Sequence, residues 1–254
     1  MFKKIGFVGG GRIVKIILEG LKNKNFNLES IYVYDCNSET LDNLKKAFPF
    51  LNTVDSISRL NGSDLIILAV HPPVMNETLL AIKPLLNEKT IILSLAPKIT
   101  IAQMNERLGG FGRIVRCNPN ATSIINEGYN PVSFSSELTK EDKKAIFSLL
   151  EKLGYSWEVD EAKLEAYAVV SAMAPTYFWF IWDELLKLGV NFGLKEDEAK
   201  DVIEKVIPAA VYLYIKYGMD GYNLIFARPL KDDEENIRNI FKTKLTNVFE
   251  KLKN

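Results

Sequence analysis

Three consecutive glycines, Gly9-Gly10-Gly11, stand between the apolar run Ile5–Val8 and a helix-compatible stretch over residues 13–21. Glycine weakens both helix and strand interiors, so a strand must end there and a helix begin after it. That order aims the free N–H groups of the new helix at whatever occupies the turn, and an anion suits them best. The spacing satisfies the first two positions of the dinucleotide fingerprint with Gly9 and Gly11, and places Val14 at the third. Gly9 allows the tight turn, Gly10 continues it, and Gly11 has no side chain to block a phosphate. Arg12 follows at the helix N-terminus, where a positive charge is unfavourable unless an anion is bound, and Ile13 comes next along the same edge. These residues are the first expected contacts of a dinucleotide.

A second mark lies further on. Residues 29–34 are rich in β-branched and aromatic side chains and end at Asp35. A carboxylate at that strand end can accept both hydroxyls of the adenosine ribose, and it repels a 2′-phosphate. No arginine follows in Cys36-Asn37-Ser38, so NAD is expected over NADP. Asp35 also suits ordinary turn chemistry ahead of a helix capped by Asn37 or Ser38, and the two roles are compatible.

Strand and helix signals alternate up to about residue 155. Strands are expected over residues 64–70, 90–95, 113–117 and 131–135, and helices over 39–47, 75–86, 101–108 and 139–153. Repeated strand-then-helix units imply a parallel sheet with right-handed crossovers. Past Trp157-Glu158 only helical signals remain: residues 160–188, with Pro175 as a possible break, then 195–217 and 232–253. The expected class is α/β, a doubly wound Rossmann domain over residues 1–158 followed by an all-α dimerisation domain over 159–254.

Composition narrows the partners. Lys plus Arg and Asp plus Glu both number 32, which argues against nucleic acid or an anionic membrane. With one histidine, His71, and two cysteines, Cys36 and Cys117, no metal-ligand spacing arises. Residues 166–182 carry no charge, but that is short for a membrane span, and it reads instead as a helix buried on all sides against another chain. The first strand begins at once, so no signal peptide and a cytoplasmic location are expected.

In an open doubly wound sheet, ligands lie at the carboxyl ends of the strands. Ala69, Val70, His71 and Pro72 should therefore run along the cofactor, and Ser94 and Ala96 should lie near the nicotinamide. Asn120 is placed to hydrogen-bond the nicotinamide amide or the substrate, or to serve as a turn residue after Pro119.

Five stretches together resemble the pyrroline-5-carboxylate reductases. They are Ile5-Gly6-Phe7-Val8-Gly9-Gly10-Gly11, Leu68-Ala69-Val70-His71-Pro72, Arg116-Cys117-Asn118-Pro119-Asn120, Ser171-Ala172-Met173-Ala174-Pro175-Thr176-Tyr177 and the segment 188–199. The resemblance implies a Rossmann domain, a helical domain that interlocks with a second subunit, and reduction of a small cyclic imine between them with NADH or NADPH. It nominates Ser171 and Tyr177 as catalytic and Met173 and Thr176 as substrate contacts. The sequence departs from the family at Arg12 (Asn there), His71-Pro72 (Lys), Lys98 (Gly) and Met173 (Ser). The family's Ser-Pro-Gly-Gly-Thr-Thr loop is replaced by Ala227-Arg228-Pro229-Leu230-Lys231, and Arg228 could offer a bidentate guanidinium to a substrate carboxylate instead. A protonated imine is already electrophilic, so positioning supplies much of the rate. Alternatives are another imine or keto acid, a deazaflavin hydride donor, and a dinucleotide-binding regulator without catalysis.

Overall fold

The structure, a computed structural model, describes residues 2–225 and 227–253. Its strands are β1 (Ile5–Val8), β2 (Ile31–Tyr34), β3 (Asn52–Val54), β4 (Leu65–Leu68), β5 (Ile91–Ser94), β6 (Ile114–Cys117), β7 (Gly128–Phe134) and β8 (Gly154–Glu158). They form one sheet in the order β3-β2-β1-β4-β5-β6-β7-β8. From β3 the chain crosses back to lay β4 beside β1, with Ile5 opposite both Ile31 and Leu65. This is the point where the strand order reverses, and it opens a crevice at the carboxyl ends of β1 and β4.

The helices α1 (Arg12–Asn23), α2 (Ser38–Ala47), α3 (Met75–Ile82), α4 (Ile101–Arg107) and α5 (Lys140–Leu150) cover the sheet. Strand side chains alternate between its faces. Ile5, Phe7, Val33 and Leu93 pack with Leu18 and Leu21 of α1, Leu44 of α2 and Ile146 of α5. Val8, Ile66, Leu68 and Ile92 pack with Met75 and Leu79 of α3 and Met104 of α4. Because both faces are covered, β1, β4, β5 and β6 are buried along their whole length, which is why they read as largely apolar runs, with Ser94 and Arg116 the polar residues among them.

The expected parallel sheet holds with one exception. β7 runs antiparallel to β6, pairing Val115 with Phe134 and Cys117 with Val132. The long turn over Ala121–Ile125 brings the chain straight back beside β6 with no crossover helix. β3 and β8, the two outer strands, carry no run that marks them in the sequence.

The chain forms two compact units, one up to Met173 with the end of the chain from Phe249, the other over Ala174–Val248. Strands cease at Glu158, but the first unit continues through a short helix, α6 (Leu164–Tyr167), and a π-helical turn, Ala168–Ala172. Of the two readings of residues 160–188, one long helix or a pair broken at Pro175, the structure shows the break. Met173 N–H bonds Ala168 O at 3.0 Å, five residues back, and Pro175, without an N–H, opens α7 (Pro175–Asn191). The second unit holds α7, α8 (Glu196–Asn223) and most of α9 (Glu234–Lys253). Gly218, at φ 59° and ψ −144°, interrupts α8, so its regular part ends at Tyr217 as the sequence suggests. Among the described residues no helix is long and apolar enough to cross a membrane.

Candidate active site

Gly9 sits at φ 98°, and a Cβ there would lie 2.6 Å from Ala69 O, so only glycine lets β1 and β4 end this close together. Gly11 is different: it is the N-cap of α1 at an ordinary φ of −71°, and a Cβ there would meet nothing within 4 Å. The protein thus leaves space open at a helix end. No side chain caps that end and no acid lies in its first turn. The Arg12 side chain is exposed and makes no ion pair among the described residues. Open space, uncapped amides and a free cation together suit a pyrophosphate. Val14, at the third fingerprint position, is wholly buried in the core cluster of that face.

Asp35 closes the turn. Its Oδ2 accepts from Gly10 N–H at 2.7 Å and its Oδ1 from Asn37 N–H at 2.8 Å. Asn37 caps α2 through Glu39 N–H, so the cap and Asp35's link to the glycine turn coexist. An ionised carboxylate has about four acceptor positions, so Asp35 keeps capacity for ribose hydroxyls. Asp35, Cys36, Gly9 and Val70 line a cavity of about 270 Å³.

A second cavity of about 270 Å³ shares Val70 and continues past Ile13, Ala69, His71, Pro72 and Ala96 to Asn118 and Met173. The two make a trough across the ends of β1, β4, β5 and β6, and the wall of the second is mostly apolar. A larger concavity of about 690 Å³ is walled by Glu137, Glu158, Asp160 and Glu161, which would repel phosphates. The trough is therefore the candidate site.

Two expected residues lie behind its wall. Ser94 is wholly buried, and its Oγ accepts from Ala96 N–H at 3.3 Å, which fixes the turn after β5. Asn120 is also buried, and its Oδ1 accepts from the Thr122 hydroxyl at 2.8 Å and Tyr129 N–H at 3.3 Å. Its neighbour in the Asn-Pro-Asn motif, Asn118, reaches the trough and donates to Leu164 O. Ser171 donates to Tyr129 O at 3.4 Å on the π turn whose neighbours Ala168, Ala172 and Met173 form the wall.

Sequence reasoning overlooked the group that holds this wall. Arg116, 2% exposed, bonds Glu161 Oε1 at 2.9 Å and Glu165 Oε1 at 2.7 Å. Glu161 also accepts from Ile101 N–H at 2.7 Å and Glu165 from Lys98 N–H at 3.4 Å. One buried guanidinium thereby ties β6, the loop after β5 and the segment bearing the π turn. Two signals were available: an arginine inside the apolar strand Ile114-Val115-Arg116-Cys117, and two glutamates four residues apart on one helical face. Lys98, in that loop, stands at φ 74°, which costs a side-chain-bearing residue about 1–2 kcal/mol.

Thr176, Tyr177 and Arg228 belong to the second unit. Tyr177 packs edge-on against Phe241 with centroids 6.0 Å apart, and burial pushes its hydroxyl pKa up. The Arg228 guanidinium lies 5.2 Å over the Tyr222 ring. Tyr222 donates to Glu234 Oε2 at 2.9 Å. Hydrogen bonds from Arg238 and Tyr222, with the charges of Arg238 and Arg228, hold the Glu234 carboxyl below its ordinary range.

Comparison with known proteins agrees with this geometry. Residues 4–97 match the family described as NADP oxidoreductase coenzyme F420-dependent. The pyrroline-5-carboxylate reductase of Corynebacterium melassecola is 28% identical over 77% of this chain and 74% of its own length. Pyrroline-5-carboxylate reductase 2 of Bacillus subtilis is 28% identical over 85% of this chain and 78% of its own. The chain is thus similar to pyrroline-5-carboxylate reductases over most of its length. The crystal structure of the Plasmodium falciparum pyrroline carboxylate reductase with NADP bound shares the fold, with a TM-score of 0.83 at 24% identity over 98% of this chain and 97% of that one. Of the departures from the family pattern, Arg12 opens α1, His71, Pro72 and Met173 line the trough, Lys98 follows Pro97 of its wall, and Arg228 lies over Tyr222 in the second unit.

Proposed function

We propose that this chain is an NAD(P)H-dependent reductase that delivers hydride to a small cyclic imine bearing a carboxylate, the reaction type of proline biosynthesis. The observation that carries the reading is the trough, which runs from Asp35 past the glycine turn to an apolar end at Met173.

The residues present fit a nicotinamide dinucleotide. The open space at Gly11, the N–H groups opening α1 and Arg12 would hold the pyrophosphate, and Asp35 the adenosine ribose. Ile13, Ala69, Val70, His71, Pro72, Ala96 and Asn118 would flank the rest. When bound, the nicotinamide supplies the hydride. Asp35 favours the cofactor without a 2′-phosphate, hence NADH. The apolar wall excludes water and fixes the imine carbon's orientation. His71 is the one titratable side chain in that wall. A protonated imine brings its own proton and needs no acid, whereas a keto acid would need a donor, and His71 Nδ1 or Nε2 would have to supply it. Ser171, Met173, Thr176, Tyr177 and Arg228 are proposed for the substrate side on the family resemblance.

The reading includes a cytoplasmic homodimer joined through the C-terminal helices. Phe178, Trp179, Phe180 and Leu185 on α7 and Tyr214 and Ile215 on α8 are all exposed, an apolar surface a second copy would cover.

The test is NADH and NADPH oxidation with 1-pyrroline-5-carboxylate, beside a panel of other cyclic imines and 2-keto acids. Turnover of the carboxylated imine, faster with NADH, is expected. Nucleotide binding with no turnover across the panel would overturn the catalytic reading in favour of a regulator, and activity only with a reduced deazaflavin would replace the hydride donor.

A further inference from the structure

The geometry points to Lys98 as the residue that recognises the substrate carboxylate, a specificity contact that rests on the reading above.

An anion entering an apolar pocket must find a charged or hydrogen-bonding partner there. The wall of the second cavity contains no lysine or arginine. Its last residue on the loop after β5 is Pro97, and Lys98 follows directly.

The backbone at Lys98 is unusual. Three non-glycine residues have positive φ among those described: Asn25 at 51°, Asn126 at 63° and Lys98 at 74°. Asparagine tolerates the left-handed region because its short side chain bonds locally, and lysine has no such compensation. A glycine would adopt this turn freely. The chain instead keeps a long cationic side chain in a strained position beside the pocket, and strain of that kind concentrates where a ligand is clamped.

No acid among the described residues uses the charge. Among the described residues the Lys98 ammonium forms no ion pair, and the side chain is exposed. The nearest acid placed by a bond, Glu165, accepts Lys98 N–H through Oε1, and that same oxygen is held by Arg116. The backbone is thereby anchored and the four-carbon stem left free to swing its ammonium to an anion. Arg228, the other cation considered for this task, already lies over Tyr222 beside Glu234.

The test compares two substrates that differ by one carboxylate, 1-pyrroline-5-carboxylate and 1-pyrroline, in the full-length protein. Lys98→Gly should raise KM for the carboxylated imine by about tenfold or more, the worth of one charge-assisted hydrogen bond. KM for 1-pyrroline, kcat and nucleotide affinity should stay near wild type. The melting temperature should match or exceed wild type, since glycine relieves the turn. Lys98→Arg should retain most of the affinity. An unchanged KM, or an equal loss for both imines, overturns the assignment. Should the wild-type chain reduce neither imine, the functional reading fails separately. Lys98 is then judged by calorimetry with pyrrole-2-carboxylate in the presence of NAD: about tenfold weaker binding in Lys98→Gly supports it, and equal binding refutes it.

Discussion

In the sheet unit Phe7, Ile31, Leu65 and Val115 are wholly buried, whereas in the helical unit Phe180 is 67% exposed and Phe192 81%. α7 and α9 bury no residue at all, and α8 buries only Ala199 and Gly221 among the described residues. Both units are built from apolar sequence. The sheet has helices of its own chain on each face, so every buried strand residue contributes to stability within one copy. The helices of the second unit touch one another, as Tyr177 does Phe241, but among the described residues their apolar faces stay largely uncovered. The first unit is thus complete as a folded body, and the second leaves an apolar surface that the proposed homodimer would cover.

Four predictions break or sharpen this contrast. The largest effect belongs to Arg116. Arg116→Met removes the buried guanidinium and leaves the partly buried Glu161 and Glu165 without their shared partner, which should cost the sheet unit about 3 kcal/mol in urea unfolding. Wild-type stability in that variant would mean the network is ornamental. Next, Phe180→Asp should weaken association by about 2–4 kcal/mol while leaving the sheet unit's unfolding transition in place. Light scattering would show monomers where wild type shows dimers, and an unchanged mass would remove α7 from the interface.

The remaining two concern the trough. Asp35→Ser removes the carboxylate that repels a 2′-phosphate and should shift the NADPH-to-NADH preference by about tenfold. A constant ratio of kcat/KM values would leave Asp35 with only its bonds to Gly10 and Asn37. The smallest effect is chemical protection. Cys36 is exposed and lines the first cavity, while Cys117 is wholly enclosed, and burial drives its thiol pKa far up. Alkylation should therefore mark Cys36 alone, and NADH at ten times its Kd should slow it about tenfold. Equal rates with and without nucleotide would place the cofactor elsewhere.

The sequence showed best what depends on short-range rules. Gly9 to Gly11 between a strand and a helix, Asp35 at the next strand end, and the buried runs of β1 and β4 all follow from local chemistry. The Ala69–Pro72 turn follows from the rule that ligands gather at strand ends. What escaped depends on partners distant in the chain. Asn52-Thr53-Val54 becomes β3 only because β2 is there to pair with it, and β8 is a half-buried outer strand with no clean alternation. Asn118 and Asn120 flank one proline, and nothing local says which faces the trough and which turns back to Thr122 and Tyr129. Arg116 reads as a misplaced charge until Glu161 and Glu165 arrive from 45 and 49 residues away. The strain at Lys98 is invisible without a backbone angle.

The most direct test of the account is calorimetric titration of NADH into wild type and into Gly11→Val. Because a Cβ at Gly11 would touch nothing in the protein, the variant should lose no more than about 1 kcal/mol of stability as a poorer N-cap. The same methyl groups would occupy the space assigned to the pyrophosphate, so binding should fall by about a hundredfold or more. Undiminished NADH binding in the variant, or none in the wild type, would contradict the assignment of this glycine turn as the cofactor cradle.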